Sequence, residues 1–112
     1  MSTTPSGVAC VPGAIPAGSR AAHFALARRL FGERARERRE LADGVALRFD
    51  AADLADVARF VDHERRCCPF LRFGIELSPD GGPLWLRLTG PAGTRELLLA
   101  EPSFASTRAT PS

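Results

Sequence analysis

Residues 50–70 read DAADLADVARFVDHERRCCPF. Leu54, Val57, Ala58, Phe60 and Val61 recur here at helical spacing, which gathers them into one apolar stripe and leaves the charged residues on the opposite side. Asp50 followed by Asp53 resembles a capping box, with acids at the positive end of the helix dipole. Pro69 must end the helix. A residue that precedes proline is pushed out of the helical conformation, so Cys68 belongs to the exit and Cys67 to the last turn. The stretch predicts a helix that carries two adjacent thiols at its carboxyl end.

Outward from that helix the pattern is symmetrical. On the amino-terminal side, Asp43-Gly44 is a hairpin signal, and Val45, Leu47 and Phe49 alternate with Ala46 and Arg48. The preceding strand is charged and suits a sheet edge; a rival reading extends the first helix through the arginines to about Leu41. That first helix is predicted from Ser19 as N-cap, through Phe24, Ala27, Leu30 and Phe31, to a left-handed stop at Gly32. On the carboxyl-terminal side, Phe70 to Leu77 and Leu84 to Leu88 read as strands joined through Ser78 to Pro83. Leu84, Leu86 and Leu88 should face inward and Trp85 outward. Gly90 and Pro91 suit the N-cap and first position of a third helix, which runs through Leu97, Leu98 and Leu99 and stops before Pro102. The order helix, hairpin, helix, hairpin, helix predicts an α+β fold: a four-stranded antiparallel sheet from two hairpins with helices on one face.

At 112 residues the chain has room for one domain. Residues 1–7 read as a flexible N-terminal tail, 8–101 as a single α+β domain that includes a short strand around Val8 to Val11, and 102–112 as a disordered C-terminal tail. All fifteen basic residues are arginine, a pattern of GC-rich coding more than of function. The net charge of +2 is too small for a nucleic-acid binder, and the densest basic run, Glu33 to Glu40, alternates in sign as a solvated face does. The opening residues lack the pattern of a secretory signal and no apolar run reaches membrane-spanning length, so no membrane role and a cytoplasmic location are expected.

The chemistry-bearing residues cluster. On a helix, His63 lies one turn from Cys67, and Glu64 one turn from Cys67 and Cys68, which puts four potential ligands within six residues. Glu64 continues the inward stripe, where a carboxylate needs a partner; Arg65, Arg66 or Arg72 could supply it, and backbone donors are the alternative. Three cysteines are an odd number for a disulfide framework, and a reducing compartment argues against bridges. Adjacent cysteines close a disulfide with each other only under strain. As thiolates, Cys67 and Cys68 suit a soft ion, namely Hg(II), Cd(II), Zn(II), Cu(I) or As(III), and Cys10 would add a third sulfur if the fold brings it near. Arg65, Arg66 and a protonated His63 favour the thiolate, whereas the carbonyl end of the helix opposes it.

Other readings of these residues are weaker. His63-Glu64-x-x-Cys67 lacks the second imidazole of the metalloprotease helix. The glycines between Thr89 and Thr94 lack the Lys-Ser/Thr ending of a phosphate loop, and no Ser-His-Asp arrangement is apparent. His23 reads as a packing or solvent-facing residue of the first helix.

Glu64, Cys67, Cys68, Pro69 and Phe70, with the strand Leu71 to Leu77 and the segment Leu86-x-Leu88-Thr89-Gly90-Pro91, resemble a family of small bacterial domains with a Glu-x-x-Cys-Cys-Pro-Phe signature. These domains occur alone or fused to mercury-type, metal-responsive regulators. Cys10 sits ahead of the first helix as that family's early cysteine does, and the likeness runs over most of Cys10 to Leu99. The resemblance implies heavy-metal handling and a metal-responsive regulator or a transporter as partner. The sequence thus points to a soluble accessory protein that binds a thiophilic ion as scavenger, chaperone or sensor. Its metal ligands would be Cys67, Cys68 and Cys10, with Glu64 and His63 around them. The alternatives are an interaction domain whose cysteines are core residues, and a thiol-dependent redox or organometal-cleaving enzyme, for which Glu64 or His63 would have to donate the proton.

Overall fold

A computed structural model of the chain describes residues 17–100. Helix α1 (Ala17–Arg29) runs into a π-turn at Leu30–Arg34 and is followed by a hairpin of β1 (Glu37–Leu41) and β2 (Gly44–Phe49). A 3₁₀ turn at Ala51–Asp53 leads into α2 (Leu54–Cys67), then a second hairpin of β3 (Arg72–Leu77) and β4 (Leu84–Thr89), and finally α3 (Thr94–Ala100). The strands form one antiparallel sheet in the order β1-β2-β4-β3, with the helices on one face. This is the α+β architecture that the sequence predicts. Among the described residues, no helix is long and apolar enough to cross a membrane.

The core is built on three cross-strand pairs at the centre of the sheet: Val45 opposite Leu88, Leu47 opposite Leu86 and Phe49 opposite Leu84. All six are fully shielded from solvent. Alternation puts them on a single face, on which Val57 and Phe60 of α2 and Leu26, Leu30 and Phe31 of the α1 segment close. Phe31 meets Phe60 edge-on with centroids 4.9 Å apart, the arrangement that aromatic quadrupoles favour. Trp85 lies on the opposite face, half-buried under the Arg39 guanidinium, as the alternation requires. The charged strand β1 is at the edge, where Arg48 bonds back to Glu37 and α3 reaches Glu40 through Arg95.

Several local expectations are corrected. Ser19 sits inside α1, not at its cap, and Phe24 is 45% exposed. The helix does not stop at a left-handed Gly32; it widens by a π-turn that closes from the Ala35 N–H to the Leu30 carbonyl at 2.7 Å. Asp50 and Asp53 do not cap α2 with their side chains. Each binds an arginine: Asp50 takes Arg36 at 2.7 Å, a hydrogen bond that holds its carboxyl below the ordinary range, and the buried Asp53 takes Arg34 at 2.9 Å. Leu54 and Ala58 face solvent, so the buried stripe of α2 is narrower than the sequence suggests. The third helix begins at Thr94, because Gly90 to Gly93 form a turn whose Gly90 N–H bonds to the Asp43 carbonyl. The predicted strand near Val8 lies outside the described residues.

The two Asp-Gly sites differ in kind. Asp80 and Gly81 both take positive φ (59° and 71°), the conformation for which such pairs are selected in hairpins. Gly44 does not; a Cβ there would stand 1.8 Å from the Leu88 carbonyl oxygen, so this glycine is required by the close approach of β4. Gly44→Ala is therefore expected to lower stability by about 1–3 kcal/mol. The matching change Gly74→Ala, whose Cβ would meet only the Arg87 Cβ at 3.7 Å, should lose far less in urea unfolding.

Candidate metal centre

The carboxyl end of α2 holds three ligand-bearing side chains in place through its backbone. The Cys68 N–H closes onto the Glu64 carbonyl at 2.7 Å, and the Leu71 N–H turns back to the Cys68 carbonyl at 3.1 Å around Pro69. As a result Glu64, Cys67 and Cys68 offer ligand atoms that all lie within 4.8 Å of one another. The two sulfurs are 3.8 Å apart, and the Cys68 sulfur is 3.5 Å from Glu64 Oε2. Cys67 is 6% exposed and Cys68 1%, both within the hydrophobic cluster.

The oxidation state of the two cysteines differs. Cys67 is a free thiol, whereas Cys68 is disulfide-bonded. This corrects the expectation that the chain carries no bridge. It also means that the three-residue group is available to a metal only when Cys68 is reduced, since a disulfide sulfur is not a thiolate.

Glu64 is substantially buried, as its place on the stripe predicts, but its partner is none of the expected arginines. Oε1 accepts a 2.9 Å hydrogen bond from His23 Nε2 of α1, with the two side chains 14% and 1% exposed. A carboxylate only accepts, so Nε2 carries the hydrogen. The imidazole stacks on Phe60 with centroids 5.4 Å apart and planes 12° from parallel. Glu64 is thereby divided between two tasks, one oxygen held by His23 and the other turned toward the sulfurs. His63 is not one of the three grouped residues; its ring meets His23 edge-on at 5.6 Å. Cys10 lies outside the described residues.

His23 is the residue that sequence reading passed over, although a signal was present. It stands three, four and seven positions before Leu26, Ala27 and Leu30, all buried, and so begins the inward stripe of α1. A histidine on one buried stripe and a glutamate on another are natural partners, because each removes the other's unsatisfied polar group.

No family model matches the chain, and no curated protein or solved structure is similar to it.

The contact itself can be tested. His23→Phe keeps the stacking on Phe60 but strands the Glu64 carboxylate, and should cost about 1–3 kcal/mol. Adding Glu64→Leu removes both polar partners and should recover most of that loss. Urea unfolding of the metal-free single and double variants measures both, and equal stability of His23→Phe and the parent would refute a structural role for the bond.

Proposed function

We propose that the reduced domain binds a thiophilic metal ion through Cys67, Cys68 and Glu64, as a scavenger, chaperone or sensor of that ion. The observation that carries this reading is the convergence of two sulfurs and one carboxylate oxygen within 4.8 Å at the end of a single helix. Two thiolates bound to one tetrahedral zinc-like ion, with metal–sulfur bonds of about 2.3 Å, stand about 3.8 Å apart. The sulfurs are already at that separation with Cys68 in its disulfide. A linear S–M–S arrangement would instead need about 4.6 Å at the same bond length. The spacing therefore supports bent coordination of the Zn(II) or Cd(II) type ahead of two-coordinate Hg(II). Cys10, as a third sulfur, would complete the set in this reading, in line with the resemblance to the Glu-x-x-Cys-Cys-Pro-Phe domains.

The disulfide at Cys68 gives the reading a condition: uptake should require reductant. The burial of both cysteines supplies the rival, in which they are packing residues alone. The two differ in the behaviour of the variant in which both Cys67 and Cys68 are replaced by serine. Serine keeps the volume but offers a hard, protonated oxygen, so a ligand role predicts loss of metal with the fold kept. A packing role predicts two buried hydroxyls in need of partners, at about 1–3 kcal/mol each.

Titration of the reduced protein with Cd(II), followed by the ultraviolet sulfur-to-cadmium charge-transfer band, is expected to saturate at one equivalent. The band should be absent from the double serine variant and from protein oxidised with diamide. A thermal melt of that variant without metal should stay close to that of the fully reduced parent. A parent protein that shows no charge-transfer band when fully reduced, together with a collapsed melt of the variant, would overturn the proposal in favour of packing.

A further inference from the structure

The two edges of the sheet are built differently. The β1 edge carries Glu37, Arg38, Arg39 and Glu40 in a row, charges of the kind that discourage another strand from pairing there. The β3 edge is more open. Its two charges, Arg72 and Glu76, flank Phe73, Gly74 and Ile75; it contains no proline and pairs with β4 in unbroken register. Ile75 is 40% and Leu77 51% exposed, on the face that the helices cover elsewhere. Among the described residues no strand lies beyond β3.

The backbone shows which groups face that edge. The Ser78 N–H donates to the Pro83 carbonyl at 3.1 Å, which makes these two residues a hydrogen-bonded pair of the β3–β4 ladder. Such pairs alternate along antiparallel strands, so Arg72, Gly74 and Glu76 turn their backbone groups to β4, and Phe73, Ile75 and Leu77 turn theirs to the open edge. Arg72 stands opposite Thr89 and Glu76 opposite Trp85, so neither has a charged partner across the ladder.

We infer that two copies of the chain join through β3, antiparallel about a twofold axis at Gly74, into one continuous sheet. This register sets Phe73 opposite the partner's Ile75. Both belong to the set whose N–H and C=O face the edge, so each such pair exchanges two backbone hydrogen bonds. On the other face it sets Arg72 opposite the partner's Glu76, twice by symmetry, which makes the strand its own charge complement. Moving the axis to Ile75 would keep the hydrogen bonds but set Glu76 opposite Gly74 and lose both ion pairs, so charge selects the register. The inference does not depend on metal binding.

Sedimentation equilibrium of the full chain, with reductant present to remove any bridge between copies, should show a mass that rises with concentration from 12.0 kDa toward twice that value. Arg72→Glu sets like charges opposite each other and should weaken association about tenfold, Glu76→Arg should do about the same, and the two changes together should restore it. Both side chains are exposed, and urea curves at low concentration check that every variant folds. In hydrogen exchange the amides of Phe73 and Ile75 should gain protection as concentration rises, whereas those of Gly74 and Glu76 are protected throughout by β4. A mass that stays at 12.0 kDa up to millimolar concentration, or an association that Arg72→Glu does not weaken or the exchange of charges does not rescue, would overturn the proposal. So would protection of Phe73 and Ile75 at all concentrations, the result that a terminal segment of the same chain on this edge would give.

Discussion

Glu64 lies on the face of α2 that packs inward, a position where a carboxylate is tolerated only if its oxygens are answered. The answer comes from α1, as one imidazole hydrogen bond at 2.9 Å backed by the ring of Phe60. Much follows from this contact. It ties the two helices at a point where apolar packing alone would allow sliding. It spends one carboxylate oxygen and thereby turns the other toward Cys68. It also fixes Nε2 as the ring nitrogen of His23 that faces the carboxylate and donates to it.

The sheet beneath supplies rigidity. Its central rows are closed by leucine, valine and phenylalanine pairs across β2 and β4, and the close approach at Gly44 locks the two hairpins together. On this platform α2 is held along Val57 and Phe60, so its last turn, with the two cysteines, has little freedom to shift. If the group takes a metal as proposed, rigid placement favours ions whose geometry matches the sulfur spacing over ions that demand another.

The architecture was legible because its signals are periodic. Alternation in Val45 to Phe49 and Leu84 to Leu88, and the stripe of α2 ended by Pro69, each bind a pattern to a period, and the structure follows them. Helix ends were less legible. Caps depend on which partner wins a side chain, and Asp50 and Asp53 went to Arg36 and Arg34, residues that are near only once the chain has folded. The site was half legible for the same reason. Glu64, Cys67 and Cys68 are neighbours in sequence and were found, whereas His23 is forty-one positions from Glu64 and no spacing rule links them. Glycine shows the limit most plainly: Gly44 looked like a turn residue, yet its necessity comes from Leu88 on a strand far along the chain.

The strand order has a consequence for how the sulfurs are guarded. Each hairpin closes a short loop, but the β2–β4 seam joins segments separated by the whole of α2, and its closure carries the larger entropic demand. Both cysteines lie inside that loop. A chain with its hairpins formed and its central seam open leaves Cys67 and Cys68 uncovered, so reagents reach them through opening of the seam and not through the static surface. The alkylation rate of Cys67 then becomes a clock for that opening, and any change that loosens the seam, even on the far face of the sheet, quickens it.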